Sequence, residues 1–237
     1  MPTSNAILAC LPPGAWASVK DSCVLLDLAK DRIIQRLGEG VTYVHFPATA
    51  VIALGAETVA GETVNVTLLG REGALGVFEA CGSRHSYVQA TVQIGGSAWR
   101  MPAPVYRRLF GECSELRQAI HKYVEVLMVE ARQAVACNAL HSVENRLART
   151  LLEISEKSQA LDLPITQYAL SQLLGVQRTT VAASISGLQR QGLIRSGRRG
   201  LVIVKPKGLE AAACACRETV AFTRKDIQSR TEETCDA

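Results

Sequence analysis

Residues 112–138 contain neither glycine nor proline, and no other feature limits the possible folds of this chain as strongly. Over that run apolar residues recur at Leu116, Ile120, Tyr123, Leu127, Ala131 and Ala134. Steps of four and three line one side of an α-helix. Val124, Val126, Met128 and Val129 fall on further faces of the same helix. A helix that is apolar on several sides has to touch its own domain and something else, and a second copy of the chain is the economical partner. The stripe from Leu116 to Ala134 is therefore the expected seam of a homodimer.

The chain before this helix has the opposite texture. Short apolar runs at 23–28, 41–46, 51–54, 64–69, 87–92 and 97–101 are divided by Gly38, Gly40, Gly55, Gly61, Gly70, Gly73, Gly76, Gly95 and Gly96. Many short strands with frequent turn residues predict a small antiparallel β-sandwich or roll. After the long helix, residues 142–157 read as a second helix with Val143, Leu147, Leu151, Leu152 and Ile154 inward. Ser142 can cap it, and Asn145 stands where a capping box would carry Glu or Gln. Residues 159–164 form a connector. From about Cys216 onward mixed charge and few apolar residues predict a helix fraying into a mobile tail.

The segment from Ile165 to Ile185 has the logic of two short helices meeting at a tight turn. Thr166 caps the first helix, and Ser171 is small where the helices cross. Gly175, four residues later, permits the left-handed backbone of the turn. Val176 plugs the corner, and Val181, Ile185 and Leu188 give the second helix its buried stripe. Gly192 ends that helix, and apolar residues on either side of Ser196 to Gly200 predict a β-hairpin, a wing.

Charge separates this unit from an ordinary helical hairpin. From 165 to 207 the basic residues are Arg178, Arg190, Arg195, Arg198, Arg199, Lys205 and Lys207, and there is no Asp or Glu. A solvated face normally mixes both signs, so the exclusion of acids points to a polyanionic partner. Together the pattern and the charge predict a winged helix-turn-helix on double-stranded DNA. Its second helix would enter the major groove with Gln177, Arg178, Thr179, Ala182 and Ala183 near base edges. Arg178 can pair with guanine O6 and N7, a contact worth about 1–3 kcal/mol of discrimination, and the alanines suit a thymine methyl. Thr166, Thr180, Arg195, Arg198 and Arg199 are placed for phosphates. A dimer would prefer a near-palindromic site.

Composition closes off other classes. Hydrophobic residues at 48% and charged residues at 20% describe a globular chain with real cores rather than a disordered one. No apolar stretch approaches the roughly 20 residues of a membrane span. The apolar run at 6–11 lacks a basic flank and meets Pro12 and Pro13, so a secretion signal is not expected and the cytoplasm is. Cys10, Cys23, Cys81, Cys113, Cys137, Cys214, Cys216 and Cys235 are scattered, with no CxxC and only a CxC at 214–216. His45, His85, His121 and His141 stand apart from one another and read as surface or packing residues, so no metal site is expected. Neither a nucleophile–base pair nor a phosphate-gripping GxxxxGK[ST] is present, and an enzyme is not predicted.

This order of elements resembles the Crp/Fnr family of bacterial transcription regulators over nearly the whole chain. The resemblance rests on residues 70–76 (Gly-Arg-Glu-Gly-Ala-Leu-Gly), on residues 137–149 at the hinge, and on the helix-turn-helix with the following residues 189–194. It implies an α+β fold: a cyclic-nucleotide-binding-like β-roll (1–111), a dimerisation helix (112–141), a winged helix-turn-helix domain (142–215) and a tail (216–237). It also implies RNA polymerase as a partner if the protein activates. Family members that bind a cyclic nucleotide use a Gly-Glu-x-Gly loop followed by Arg-Ser or Arg-Thr, in which Glu accepts from the ribose and Arg neutralises the phosphate. Gly73, Gly76 and Arg84 match that cassette, which makes Gly73, Ala74, Gly76, Arg84 and His85 the candidate effector pocket. Ala74 stands in place of the Glu and His85 in place of the hydroxyl residue, so cyclic nucleotide is not the expected cofactor. Glu72 lies two residues early and would point the other way. Cys10 and Cys23 do not reproduce the N-terminal cysteine cluster of the iron–sulfur members. The recognition segment Arg178-Thr-Thr-Val-Ala-Ala183 departs from the family's Arg-Glu-Thr-Val-x-Arg, which predicts a different DNA site. A competing reading is a cyclic-nucleotide-binding module that acts on a protein partner.

Overall fold

The structure is a computed structural model and describes residues 4–229. Two short helices, α1 (Ala6–Ala9) and α2 (Pro13–Lys20), precede β1 (Val24–Leu28), β2 (Ile33–Gln35), β3 (Tyr43–Pro47), β4 (Val51–Glu57) and β5 (Thr63–Leu69). After α3 (Val77–Cys81) come β6 (Gln89–Ile94), β7 (Gly96–Pro102), α4 (Ala103–Glu112), the long α5 (Ser114–Leu140) and α6 (Val143–Ser158). The remainder is β8 (Asp162–Leu163), α7 (Gln167–Leu174), α8 (Arg178–Arg190), β9 (Ile194–Ser196), β10 (Leu201–Ile203), α9 (Pro206–Ala212) and α10 (Cys216–Ser229).

The first seven strands pair antiparallel in two sheets, ordered β1-β7-β3 and β2-β6-β4-β5. This is the expected β-roll, to which the structure adds β2 and the short helices α1, α2 and α3. Phe46, Ile52, Val92, Met101 and Tyr106 fill the roll.

Leu116, Ile120 and Tyr123 of α5 are buried in that same core, and Leu127 packs on its edge. This corrects the expected dimer seam, of which the first four residues face the chain's own β-roll. Ala131 is exposed and Ala134 half-buried. Periodicity identifies a buried stripe but not what buries it, and the nearest apolar surface is the sheet.

A second core holds Leu147, Leu151 and Ile154 of α6 with Leu170, Val181, Leu188, Ile194 and Leu201. It also takes Val51 and Ala53 of β4 and Leu68 of β5. Successive side chains of a strand point to opposite faces, so Ile52 enters the roll while Val51 and Ala53 face the second unit. The winged unit is thereby docked on the outside of the sheet.

A buried ion pair crosses this junction. Lys157 of α6 is 7% exposed and donates to the Glu72 carboxylate, with Glu153 3.7 Å away on the same helix. Glu72 also accepts from the Gly70 amide at 2.9 Å. Burial pushes the Glu72 carboxyl up, but the Lys157 charge and these hydrogen bonds outweigh it, and the net shift is downward. Burial likewise opposes the Lys157 charge, and Glu72 and Glu153 more than restore it.

The expected helix after Cys216 forms. Among the described residues α10 packs along α5, with ion pairs Arg224–Glu130 to α5 and Arg217–Glu156 to α6. Of the expected tail at 216–237, residues 230–237 lie outside the described residues. No described helix is long and apolar enough to cross a membrane.

Removing Lys157 would leave Glu72 buried without its partner. Lys157→Ala is expected to lower the unfolding free energy by about 3 kcal/mol, read from a urea midpoint. A depressed carboxyl contributes stability above its unfolded pKa, about 4.3, and loses it as the pH falls through the folded value. The gap between wild type and variant should therefore narrow below about pH 4. An unchanged gap would show that the pair does not carry the junction.

Candidate nucleic-acid interface

The surface presented by α7, α8 and the wing is built from local constraints. Thr166 caps α7 by accepting from the Ala169 amide at 3.1 Å. Ser171 is buried, and its hydroxyl donates to the Tyr168 carbonyl at 2.7 Å. Gly175 has φ +62° at the turn, where a side chain would be strained. Val176 packs at the corner, and Val181, Ile185 and Leu188 bury the inner side of α8. Ser184 and Gly187 also lie on that inner side, Gly187 close to the Glu144 carboxylate of α6.

The opposite side of α8 faces solvent. Gln177, Arg178, Thr179, Thr180 and Ala183 are exposed and Ala182 is half-buried. The Arg178 guanidinium sits 4.5 Å above the Tyr168 ring. That cation–π contact, worth about 0.5–1 kcal/mol at an exposed site, restrains the side chain without neutralising it. The positive end of the α8 dipole lies at the same place, where backbone N–H groups favour an anion.

The wing is a hairpin of β9 and β10, closed by the Gly197 amide donating to the Gly200 carbonyl at 2.8 Å, with β8 beyond β10. Arg195, Arg198 and Arg199 are exposed. Gln189 ties α8 to the wing by donating to the Ser196 hydroxyl at 3.0 Å. Between them lies a cleft of about 260 Å³ bounded by Thr166, Gln167, Ala182, Ser186, Gln189 and Arg199. Among the described residues, none of the seven basic residues from Arg178 to Lys207 joins a salt bridge. Glu144 approaches only the far end of α8, where it accepts from Gln191 at 2.9 Å.

The structure gathers Thr166, Gln177, Arg178, Thr179, Thr180, Ala182 and Ala183 with the wing arginines on one side of the unit. Sequence reasoning missed Tyr168, Gln167, Gln189 and Ser196, whose placement depends on how α7 and the wing cross α8. Tyr168 carries a weak signal, an exposed aromatic one position after the first residue of a helix.

The candidate effector pocket does not hold together. A cavity of about 850 Å³ lies between the β-roll, α5, α6 and α10, and Ala74 and Gly76 line it with Phe78, Tyr123 and Leu127. Gly73 is pressed against Leu69 and Tyr123, and the Tyr123 hydroxyl donates to the Ala74 carbonyl at 3.2 Å. Arg84 and His85 are exposed on the loop after α3 and do not line this cavity. The reason is local: Arg84 has φ +64°, and its carbonyl accepts from the Val41 amide at 2.9 Å, which holds the loop beside the chain leading into β3. Glu72, turned to Lys157, is spent on the junction.

The scattered cysteines and separate histidines also need correction. The Cys137 and Cys214 sulfurs are 3.5 Å apart, and Cys216 Sγ lies 3.4 Å from His141 Nδ1. The sequence signal was present as Cys137 and His141 one helical turn apart, but their partners lie far along the chain.

The assembly of β-roll, long helix and winged unit can be set beside known proteins. A family model described as a Crp-like helix-turn-helix domain matches residues 145–212. The cAMP-activated global transcriptional regulator CRP of Haemophilus influenzae is 23% identical over 186 residues, covering 74% of this chain and 81% of its own length. Transcriptional regulator SdrP of Thermus thermophilus is 31% identical over 105 residues, covering 42% of this chain and 52% of its own. Among solved structures, FixK2 from Bradyrhizobium japonicum has a TM-score of 0.69 at 18% identity, covering 81% of this chain and 98% of that one. The c-di-GMP responsive global regulator CLP of Xanthomonas campestris has a TM-score of 0.66 at 15% identity, covering 81% of this chain and 99% of that one. These structural likenesses establish the fold, and the family match spans the acid-free stretch 165–207. Residues 145–212 are a Crp-like helix-turn-helix domain, and the chain is a DNA-binding transcription regulator similar to those of the Crp/Fnr family.

Proposed function

We propose that the protein binds a near-palindromic DNA site as a homodimer, each copy placing α8 in a major groove. The observation that carries this reading is Arg178, exposed at the head of α8, stacked on Tyr168 and without an acidic partner among the described residues. Gln177, Arg178, Thr179, Ala182 and Ala183 read base edges. Thr166, Thr180, Arg195, Arg198 and Arg199 hold phosphates and set the register.

The dimer contact is the face of α5 that neither the β-roll nor α10 covers. Met128 is 48% and Val135 72% exposed, and with the exposed Ala131 between them they follow steps of three and four. Exposed apolar residues at that spacing fit a second α5. The role is one of binding rather than catalysis, in the cytoplasm with the DNA, and RNA polymerase is a further partner where the protein activates. Cyclic nucleotide is not the effector by the family's contacts, since Ala74 offers no acceptor, Glu72 faces Lys157, and Arg84 and His85 lie outside the cavity.

Fluorescence anisotropy on a site selected from random-sequence DNA tests the assignments. Arg178→Ala should weaken specific binding by about 1–3 kcal/mol and relax preference at one base pair. Arg198→Ala should instead weaken all sequences alike and reduce the salt slope by about one. Equal, sequence-blind effects of both changes would refute the division of roles. Met128→Glu with Val135→Glu should give monomers on sedimentation and cost roughly a hundredfold in affinity; a dimeric variant would place the interface elsewhere. Calorimetry with cyclic AMP should show no saturable heat, and a saturable isotherm would overturn the effector reading.

A further inference from the structure

We infer that Cys137, His141, Cys214 and Cys216 form a tetrahedral zinc site that clasps the end of the dimer helix to the end of the winged unit. Cys137 lies in the last turn of α5 and His141 is its C-cap, so the two side chains share one face of the helix. Cys214 lies in the turn after α9, and Cys216 opens α10. The four ligand atoms all lie within 4.8 Å of one another.

These separations fit one ion. With Zn–S near 2.3 Å and Zn–N near 2.0–2.1 Å, a tetrahedral centre places neighbouring ligand atoms roughly 3.5–3.8 Å apart. The observed contacts of 3.5 Å between Cys137 and Cys214 and 3.4 Å between Cys216 and His141 already approach that spacing. An iron–sulfur cluster needs its cysteines spread around two or more metal ions, wider than this arrangement. Three thiolates and one imidazole also match a ligand set that zinc takes in closed structural sites.

The surroundings are those of a ligand cluster rather than of a core. Cys137, Cys214 and Cys216 are 1%, 8% and 3% exposed, yet they form a small cluster of their own, joined to neither large core. Gln133 Nε2 donates to Cys216 Sγ at 3.1 Å, as an outer amide does to a ligating sulfur. Zinc with three thiolates and a neutral imidazole carries one net negative charge. Arg149 lies beside Cys137 and Cys214, with its buried Nε lacking a hydrogen-bond partner. On binding, the three thiols release their protons to solvent and His141 ligates through Nδ1 with its proton on Nε2.

The location gives the site a consequence. His141 and Ser142 join α5 to α6, so the ion would fix the hinge between the dimer helix and the DNA-binding unit and anchor α10.

Metal analysis of the full chain purified under reducing conditions without chelator tests the inference, and it needs no DNA. One zinc per chain is expected. Co2+ added to the stripped protein should give the intense sulfur-to-cobalt bands and visible transitions of a tetrahedral thiolate site. Cys214→Ser with Cys216→Ser should abolish both signals, while Cys10→Ser with Cys81→Ser should keep them. Wild type that carries no zinc and gives no cobalt bands would overturn the proposal, a measurement that does not depend on any variant folding. Metal retained by the 214/216 variant, or a Cys137–Cys214 disulfide persisting in the reduced protein, would overturn it equally.

Discussion

Everything in this molecule that meets DNA is positioned by a strand buried on both faces. β4 sends Ile52 into the β-roll and Val51 and Ala53 into the core of the winged unit. α6 lies across that outer face with Leu147, Leu151 and Ile154 fully buried. Burying each such side chain contributes about 1.5–3 kcal/mol, so the docking of the two units is a core in its own right. Glu72 and Lys157 add direction to an otherwise non-directional contact, because a buried charge tolerates only its partner's position.

With its inner side committed to that core, α8 has only one face left for solvent. Its head carries Gln177, Arg178 and Thr179, and the wing beside it carries Arg198 and Arg199. The absence of acids over 165–207 leaves these cations unneutralised within the unit. A face in this state repels itself, a cost that binding to a polyanion removes. The Tyr168 ring restrains Arg178, which would reduce the entropy lost in the proposed contact of the guanidinium with a base.

The sequence was most legible where local rules decide. The β runs and the turn at Gly175 follow from alternation and left-handed backbone, and the structure places them close to where they are expected. Burial in α5 was harder to read. Leu116, Ile120 and Tyr123 form a helical stripe in any tertiary setting, and only the fold shows that the β-roll covers it. The five-residue effector set failed for a related reason. Spacing matched Gly73, Gly76 and Arg84 to a cassette, but Arg84 lies exposed on a loop with φ +64° and does not line the cavity that Ala74 and Gly76 face. Cys137 and His141 share a helix turn, yet nothing in their neighbourhood indicates that Cys214 and Cys216 come back to meet them.

The central claim is that two copies of α8 address DNA together. Hydroxyl-radical footprinting on a high-affinity site selected from random-sequence DNA tests it most directly. Two protected patches of equal strength, centred one helical turn apart on a sequence with two-fold symmetry, are predicted. A single asymmetric patch, or no enrichment of any sequence during selection, would contradict the account.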